Sequence, residues 1–374
     1  MRNAVFTILA AVAAVGCGDS FMGPPPLTAE VTTTGRAERG LTVPVVLTSG
    51  GAPVNGAVFT VSPSTAADVL AGDSLQLNTA GPLTIAARGL AGHDSVHATL
   101  VLTVAVPPTV VFDNLDAGNR DIWSVQLDGG VLTRLTTDAG DDRQPTARMG
   151  TVVFISYRTG SAELFSVPLA GGGDAQLTTN AIAEADPALN ASDTQLAFTQ
   201  GSGFPRIMTA GANGAGATRL IAADGGWSGA LEGSPAWSPT GDRVAYMTTR
   251  DGAAGIYIGA VSGASGSATQ LVDGAHGYAS VEPAWSPGGS SVAFASNRDG
   301  PTDLYLVTVA TGAVRRLTTL GNVGQPAFTA DGRLLFTRFA GGAMTLDWLD
   351  LMDTSAVHAI PTGTGSAQHP SEAR

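Results

Sequence analysis

From residue 109 to the C-terminus one pattern recurs six times. Each copy has a polar residue followed by Pro, a short apolar run ending in an aromatic, a turn with Gly or Asp, a second apolar run, and a closing Leu or Ile. The opening pairs are Gln144-Pro145, Asp186-Pro187, Ser234-Pro235, Glu282-Pro283, Gln325-Pro326 and His369-Pro370, with prolines 42 to 48 residues apart. The aromatics keep step at Phe112, Phe154, Phe198, Tyr246, Phe294 and Phe336, and the closing residues at Leu135, Leu177, Leu220, Leu271, Leu317 and Ile360. A unit of this length that cannot bury its own apolar faces must stack on its neighbours.

Four short strands in about 40–45 residues is the period of a β-propeller blade. The runs are rich in Val, Phe, Tyr, Leu and Thr and are bounded by Gly, Asp and Asn, as hairpins require. The 49 glycines go with 44% apolar residues, so they read as turn positions and not as disorder. Proline is tolerated at the first residue of a strand, and the residue before it favours extended geometry, so each polar-Pro pair is predicted to start a blade's first strand. The first aromatic, Phe112, has no such strand before it, and His369-Pro370 has no strands after it. His369 to Ala373 is therefore predicted to join the blade formed by residues 109–137, closing a ring of six and removing the open edge.

Two copies are more specific: Ser234-Pro235-Ala236-Trp237-Ser238-Pro239-Thr240-Gly241-Asp242 and Glu282-Pro283-Ala284-Trp285-Ser286-Pro287-Gly288-Gly289. The second runs on into Val292-Ala293-Phe294-Ala295-Ser296-Asn297-Arg298-Asp299-Gly300. This resembles the WD40-like repeat of TolB-type six-bladed propellers, with its PAWSPDG, aliphatic-Phe and SNRDG elements. The resemblance implies an all-β ring over 109–374 that offers a rigid rim to partner proteins. The N-terminal α/β domain usual in that family is not matched here.

Ahead of the ring the chain changes character. Residues 1–17 read as an export signal, with Arg2, an apolar stretch from Ala4 to Val15 too short to span a bilayer, and Ala14-Val15-Gly16-Cys17 at its end. The last four residues resemble a lipobox, which makes Cys17, the single cysteine, the expected lipidation site. Residues 18–26, with Pro24-Pro25-Pro26, are a stiff spacer. Residues 27–106 carry alternating runs at Leu41–Leu47, Ala57–Val61, Leu83–Ala87 and Ala98–Val104, and resemble a bacterial Ig-like β-sandwich, a stalk or a binding module. Pro107-Pro108 marks the join. The expectation is an exported, monomeric outer-membrane lipoprotein, facing the periplasm or the cell surface.

Charge and composition narrow the chemistry. All 19 basic residues are Arg, and 31 acidic residues bring the net charge to −12. Nucleic acid is not an expected partner, and no lysine is present for Schiff-base chemistry. His93 and His97 stand four apart, a zinc spacing only on a helix, and this stretch reads as strand and turn. The pairs Asp128-Gly129, Asp251-Gly252, Asp299-Gly300 and Asp331-Gly332 read as hairpin turns before calcium loops. No cofactor motif is present. Asp113-Asn114-Leu115-Asp116-Ala117-Gly118-Asn119-Arg120-Asp121 reads as an interstrand loop.

One constellation follows from the ring itself. Equivalent inner-strand positions must converge on the central channel, so Gln144, Asp186, Ser234, Glu282, Gln325 and His369 are predicted to encircle its mouth as a candidate ligand ring. Asp186, Glu282 and His369 are its ionisable members. Arg158, Arg250, Arg298 and, nearby, Arg338 occupy matching turns and are predicted to tie blade to blade. Trp227 and Tyr278, in the two long inserts, are candidate exposed aromatics near the mouth. The leading functional reading is a lipid-anchored envelope protein that binds another envelope protein. A receptor for a glycan, peptide or metal at the mouth is the alternative, and a lyase or hydrolase using Asp186, Glu282 or His369 a third.

Overall fold

The computed structural model describes residues 29–373 other than 34–37, 41, 50–51, 71–73, 92–93, 117, 221–228, 262–267 and 275–276. The expected signal, Cys17 and the spacer lie outside these residues, as do His93 and Trp227. The chain divides into two compact units, Met1–Pro107 and Pro108–Arg374.

The first unit has two antiparallel sheets. One contains Ala29–Thr33, Thr42–Ser49, Ala52–Pro53, Ser74–Leu77 and Ala67–Leu70; the other contains Val58–Ser62, Gly81–Ala91 and Asp94–Val104. The alternation seen in sequence decides which side chains turn inward: Val43, Val45 and Leu47 from one sheet meet Leu83, Ile85, Leu100 and Leu102 from the other. His97 is exposed on a strand, in register with Arg88, so the helical spacing that would suit zinc is not realised.

The second unit is six four-stranded sheets, each a meander from an inner to an outer strand. The inner strands of blades 2 to 6 are Asp142–Arg148, Glu184–Leu189, Glu232–Trp237, Ser280–Trp285 and Val323–Phe328. Blade 1 is composite, as expected: Ser366–Ala373 is its inner strand and pairs antiparallel with Thr109–Asp116. Every blade packs on both faces, which explains why the second strands are nearly continuous apolar runs. In Val152-Val153-Phe154-Ile155, Val152 and Phe154 join a core with blade 1, and Val153 and Ile155 join one with blade 3. Six such cores separate the blades, and the one that joins Phe112 to Leu335 and Trp348 closes the ring. The six recurring aromatics are fully buried, each contributing on the order of 2–3 kcal/mol.

The polar-Pro pairs do not begin the inner strands. They lie in mid-strand at a β-bulge, where two residues face one: Arg143 pairs with Ile155 and Thr146 with Val153, so Gln144-Pro145 together oppose Phe154. The same shift occurs in all six blades, always opposite the recurring aromatic. Nor are the residues before proline extended. Gln144, Asp186, Ser234, Glu282, Gln325 and His369 all sit at φ of 50 to 55°. A bulge is the other place a strand accepts proline, because the extra residue leaves the ladder.

The turn arginines also differ from expectation, since each is committed within its own blade. Arg158 pairs with Asp142 at 2.9 Å and lies over Phe165 at 4.6 Å. Arg250 lies over Tyr257 at 4.5 Å, and Arg298 over Tyr305 at 5.0 Å. In blade 6 the position of that aromatic is taken by Asp347, and Arg338 pairs with it at 2.8 Å. The aromatic directly beneath each guanidinium outcompetes a more distant neighbour. Blade-to-blade polar contacts fall to other groups: Trp237 Nε1 donates to the Ala188 carbonyl at 2.9 Å, and the Ile207 amide donates to buried Glu232 at 3.1 Å. The Asp-Gly pairs are turns, with Gly129, Gly252, Gly300 and Gly332 all at positive φ.

Phe336→Ala, in the core between blades 5 and 6, is expected to cost about 3–5 kcal/mol in denaturant unfolding. Phe339→Ala, three residues on and 48% exposed, is expected to change stability by less than about 0.5 kcal/mol. Equal losses from the two would contradict the packing described.

Candidate functional site

The structure places the six residues before the prolines around one cavity. Gln144, Asp186, Ser234, Glu282, Gln325 and His369, with the six prolines behind them, line one cavity of about 210 Å³. All six polar residues are half-buried, and the prolines are buried. Each blade runs its inner strand away from the end that carries the loops before that strand and after the second strand. The polar cavity opens at that end. On the other side of the proline collar a second cavity, of about 320 Å³, is lined by Trp237, Trp285, Phe328, Arg148 and Glu372 among others.

The bulge explains the ring's geometry. It frees the amide of each polar residue from the ladder, and in four of the six the side chain of the preceding blade's ring residue takes it up. The Asp186 amide donates to Gln144 Oε1 at 3.0 Å, the Ser234 amide to Asp186 Oδ2 at 3.1 Å, the Gln325 amide to Glu282 Oε2 at 2.6 Å, and the His369 amide to Gln325 Oε1 at 3.0 Å. The Gln144 amide donates to Asp113 Oδ1 at 3.1 Å, and His369 Nδ1 lies 2.6 Å from the same oxygen. The relay thus passes round the mouth in one direction. Among the described residues no hydrogen bond joins Ser234 to Glu282, because a serine side chain is too short to reach the next blade.

Asp113 is the member that sequence reasoning missed. It is fully buried, and it also accepts from Arg120 at 2.6 Å. It follows the recurring aromatic of blade 1, where the other blades have Ile155, Thr199, Met247, Ala295 and Thr337. An acidic residue within an apolar strand was the available signal. Two of its counterparts do similar work: Thr199 Oγ1 donates to Asp186 at 3.2 Å, and Thr337 Oγ1 to Gln325 at 2.7 Å.

His369 has both ring nitrogens engaged. Gln325 Oε1 accepts from the His369 amide and from Thr337, which turns the Gln325 amino group toward His369 Nε2, 2.7 Å away. Burial opposes a proton on the imidazole most strongly. The Asp113 carboxylate, then Glu282 and Asp186, outweigh it and raise its pKa. Burial raises the pKa of Glu282, and Asp186 adds to the effect, while the Gln325 amide and His369 act against them. Asp186, Glu282 and His369 share the rim, yet no group of three potential ligands close enough for a metal ion occurs among the described residues. Tyr278 is half-buried, donates its hydroxyl to Asp273 at 2.9 Å and lies under Arg298 at 4.8 Å, so it is not a free aromatic at the mouth.

These features define a six-bladed β-propeller, closed by its own C-terminal strand, with a polar mouth at one end of the channel. Residues 215–373 match the family described as the TolB beta propeller domain. The fold is similar to that of TolB from Acinetobacter baumannii, with a TM-score of 0.63 and 15% identity over 79% of this chain and 80% of that one. It is also similar to a putative TolB from Agrobacterium tumefaciens, with a TM-score of 0.54 and 17% identity over 68% of this chain and 88% of that one. A chain from a nidogen/laminin complex aligns with a TM-score of 0.56 and 12% identity over 71% of this chain and 98% of that one. No curated protein sequence matches significantly. The propeller is similar in fold to those of the TolB type.

The Glu282 shift has a testable sign. Between the ordinary glutamate value of 4.5 and its raised native value, the folded state holds more protons than the unfolded chain. This group's contribution to stability is therefore present below about pH 4.5 and is lost as pH rises through the native value. Glu282→Gln, which keeps an acceptor for the Gln325 amide, is expected to raise the melting temperature at pH 7.5 and to leave it unchanged near pH 4. A lower melting temperature at pH 7.5 would contradict the assignment.

Proposed function

We propose that this chain is an exported, lipid-anchored binding protein of the cell envelope, and that its propeller receives a protein partner on the face that carries the polar mouth. One observation carries the reading. Leu115, Tyr157, Ile182, Phe204, Leu320 and Phe339 are 41 to 58% exposed, and all lie in loops or hairpin ends at the mouth end of the blades. Apolar side chains set around a polar, half-buried centre have the composition of an interface. The likeness to TolB folds, and to a chain solved within a nidogen/laminin complex, supports a role in protein interaction.

Binding accounts for the ring better than catalysis does. His369 is the group a hydrolase or lyase would use, and its two nitrogens are held by Asp113 and Gln325. Asp186 accepts from Gln144, Ser234 and Thr199. Groups so engaged position backbone rather than move protons. In the same reading Cys17 carries the lipid, the two-sheet N-terminal unit is an Ig-like stalk, and no membrane-spanning helix is needed. Among the described residues no helix is long and apolar enough to cross a membrane.

Crosslinking from intact cells tests both parts. One protein is expected to be captured reproducibly by the wild type and lost with Tyr157→Ser/Phe339→Ser. Cys17→Ser is expected to move the protein from the membrane to the soluble fraction. Undiminished capture by the rim variant would refute the docking face, and unchanged fractionation would refute the anchor.

A further inference from the structure

The hydrogen-bond relay fails at one step, and that step lies between the two acidic members of the ring. Asp186, Ser234 and Glu282 are consecutive, on blades 3, 4 and 5. Glu282 Oε2 accepts the Gln325 amide, and nothing among the described residues donates to its other oxygen or engages the Ser234 hydroxyl. Both residues line the cavity. Ser234 is held there by its amide on Asp186, so it cannot shift to close the gap.

The groups at this gap are hydrogen-bond acceptors with two carboxylates among them, so the matching occupant is a donor that carries positive charge. The basic groups of the mouth-end loops have partners of their own: Arg143 pairs with Asp141, Arg250 lies over Tyr257, Arg298 over Tyr278 and Tyr305, and the His369 ring is held between Asp113 and Gln325. Among the described residues no three His, Cys, Asp or Glu side chains stand close enough together to hold a metal ion. A guanidinium suits better, being planar, with five donors in a fixed fork and a lower hydration cost than an ammonium.

Resting on the docking face proposed above, we propose that the partner inserts an arginine side chain into the mouth between Ser234 and Glu282, with apolar neighbours that pack on the rim. The charge complements a chain of net charge −12, and the apolar flank matches Phe204, Leu320 and Phe339. Burial and the neighbouring Asp186 both oppose a negative charge on Glu282. A bound guanidinium relieves that cost, which gives a reason for a carboxylate at this position.

The test uses the full chain and two synthetic peptides, acetylated Leu-Arg-Phe amide and the same peptide with citrulline, arginine's uncharged isostere. In calorimetric titration the arginine peptide is expected to bind about tenfold or more tightly than the citrulline peptide. That preference is expected to weaken with salt and to disappear in Glu282→Gln. Equal affinity for the two peptides, or an arginine preference that survives Glu282→Gln, overturns the inference. If equal affinity is accompanied by loss of both peptides in Tyr157→Ser/Phe339→Ser, the docking face stands and the arginine does not. Binding of neither peptide overturns the inference, and the docking face is then judged separately by the capture experiment.

Discussion

The structure depends on a single amide freed from its ladder and handed to the next blade. Six times a polar residue at positive φ, followed by proline, leaves the inner strand's hydrogen-bond pattern. A non-glycine residue in that region is strained by on the order of 1–3 kcal/mol, and it persists only where its surroundings hold it. Here the surroundings are the aromatic that lies opposite the bulge and, in five of the blades, a side chain of the preceding blade that accepts the freed amide. One device therefore sets the channel's diameter, turns six polar side chains to one end of it and couples neighbouring blades. Because the sixth inner strand comes from the C-terminus, the blades close in a circle with no exposed strand edge at the join, and the amide relay round it is broken at one step, between Ser234 and Glu282.

That arrangement separates two kinds of surface. Between blades the contacts are apolar and continuous, and they carry most of the cohesion. At the mouth they are polar and directional, and each member's geometry is imposed by the one before it. A ring built in this way is preorganised, so a ligand that completes it pays little to order it. The one incomplete step, at Ser234, is where an added donor gains most.

Much of this was legible in the sequence. The spacing of the prolines and aromatics is enough to count blades, and the mismatch between Phe112 and His369-Pro370 is enough to predict how the ring closes. The six residues before the prolines line the mouth because symmetry leaves them no other place. What was not legible is instructive. Proline's ordinary effect on its predecessor is a local preference, and in every blade a bulge overrides it, in five of them with an interblade hydrogen bond that no local rule sees. The arginines stay within their blades because the group that captures each one, an aromatic or for Arg338 the Asp347 carboxylate, stands just across the next hairpin, where strand pairing and not spacing brings it beneath the guanidinium. Asp113 was passed over as part of a loop, although its place after Phe112 puts it in the ring. The wider cavity beyond the prolines, with Trp237 and Trp285 in its wall, had no signature beyond the recurring tryptophans.

One face of the propeller, and not the other, is proposed to meet the partner, and hydrogen exchange on the crosslink-identified complex distinguishes the two. Slowed exchange is expected at the mouth end, in the stretches around Tyr157, Phe204 and Phe339 and in the amide of Glu282. No change is expected at the opposite end, around Met149 and Asp193. Protection confined to that opposite end, or to the N-terminal unit, would contradict that proposal.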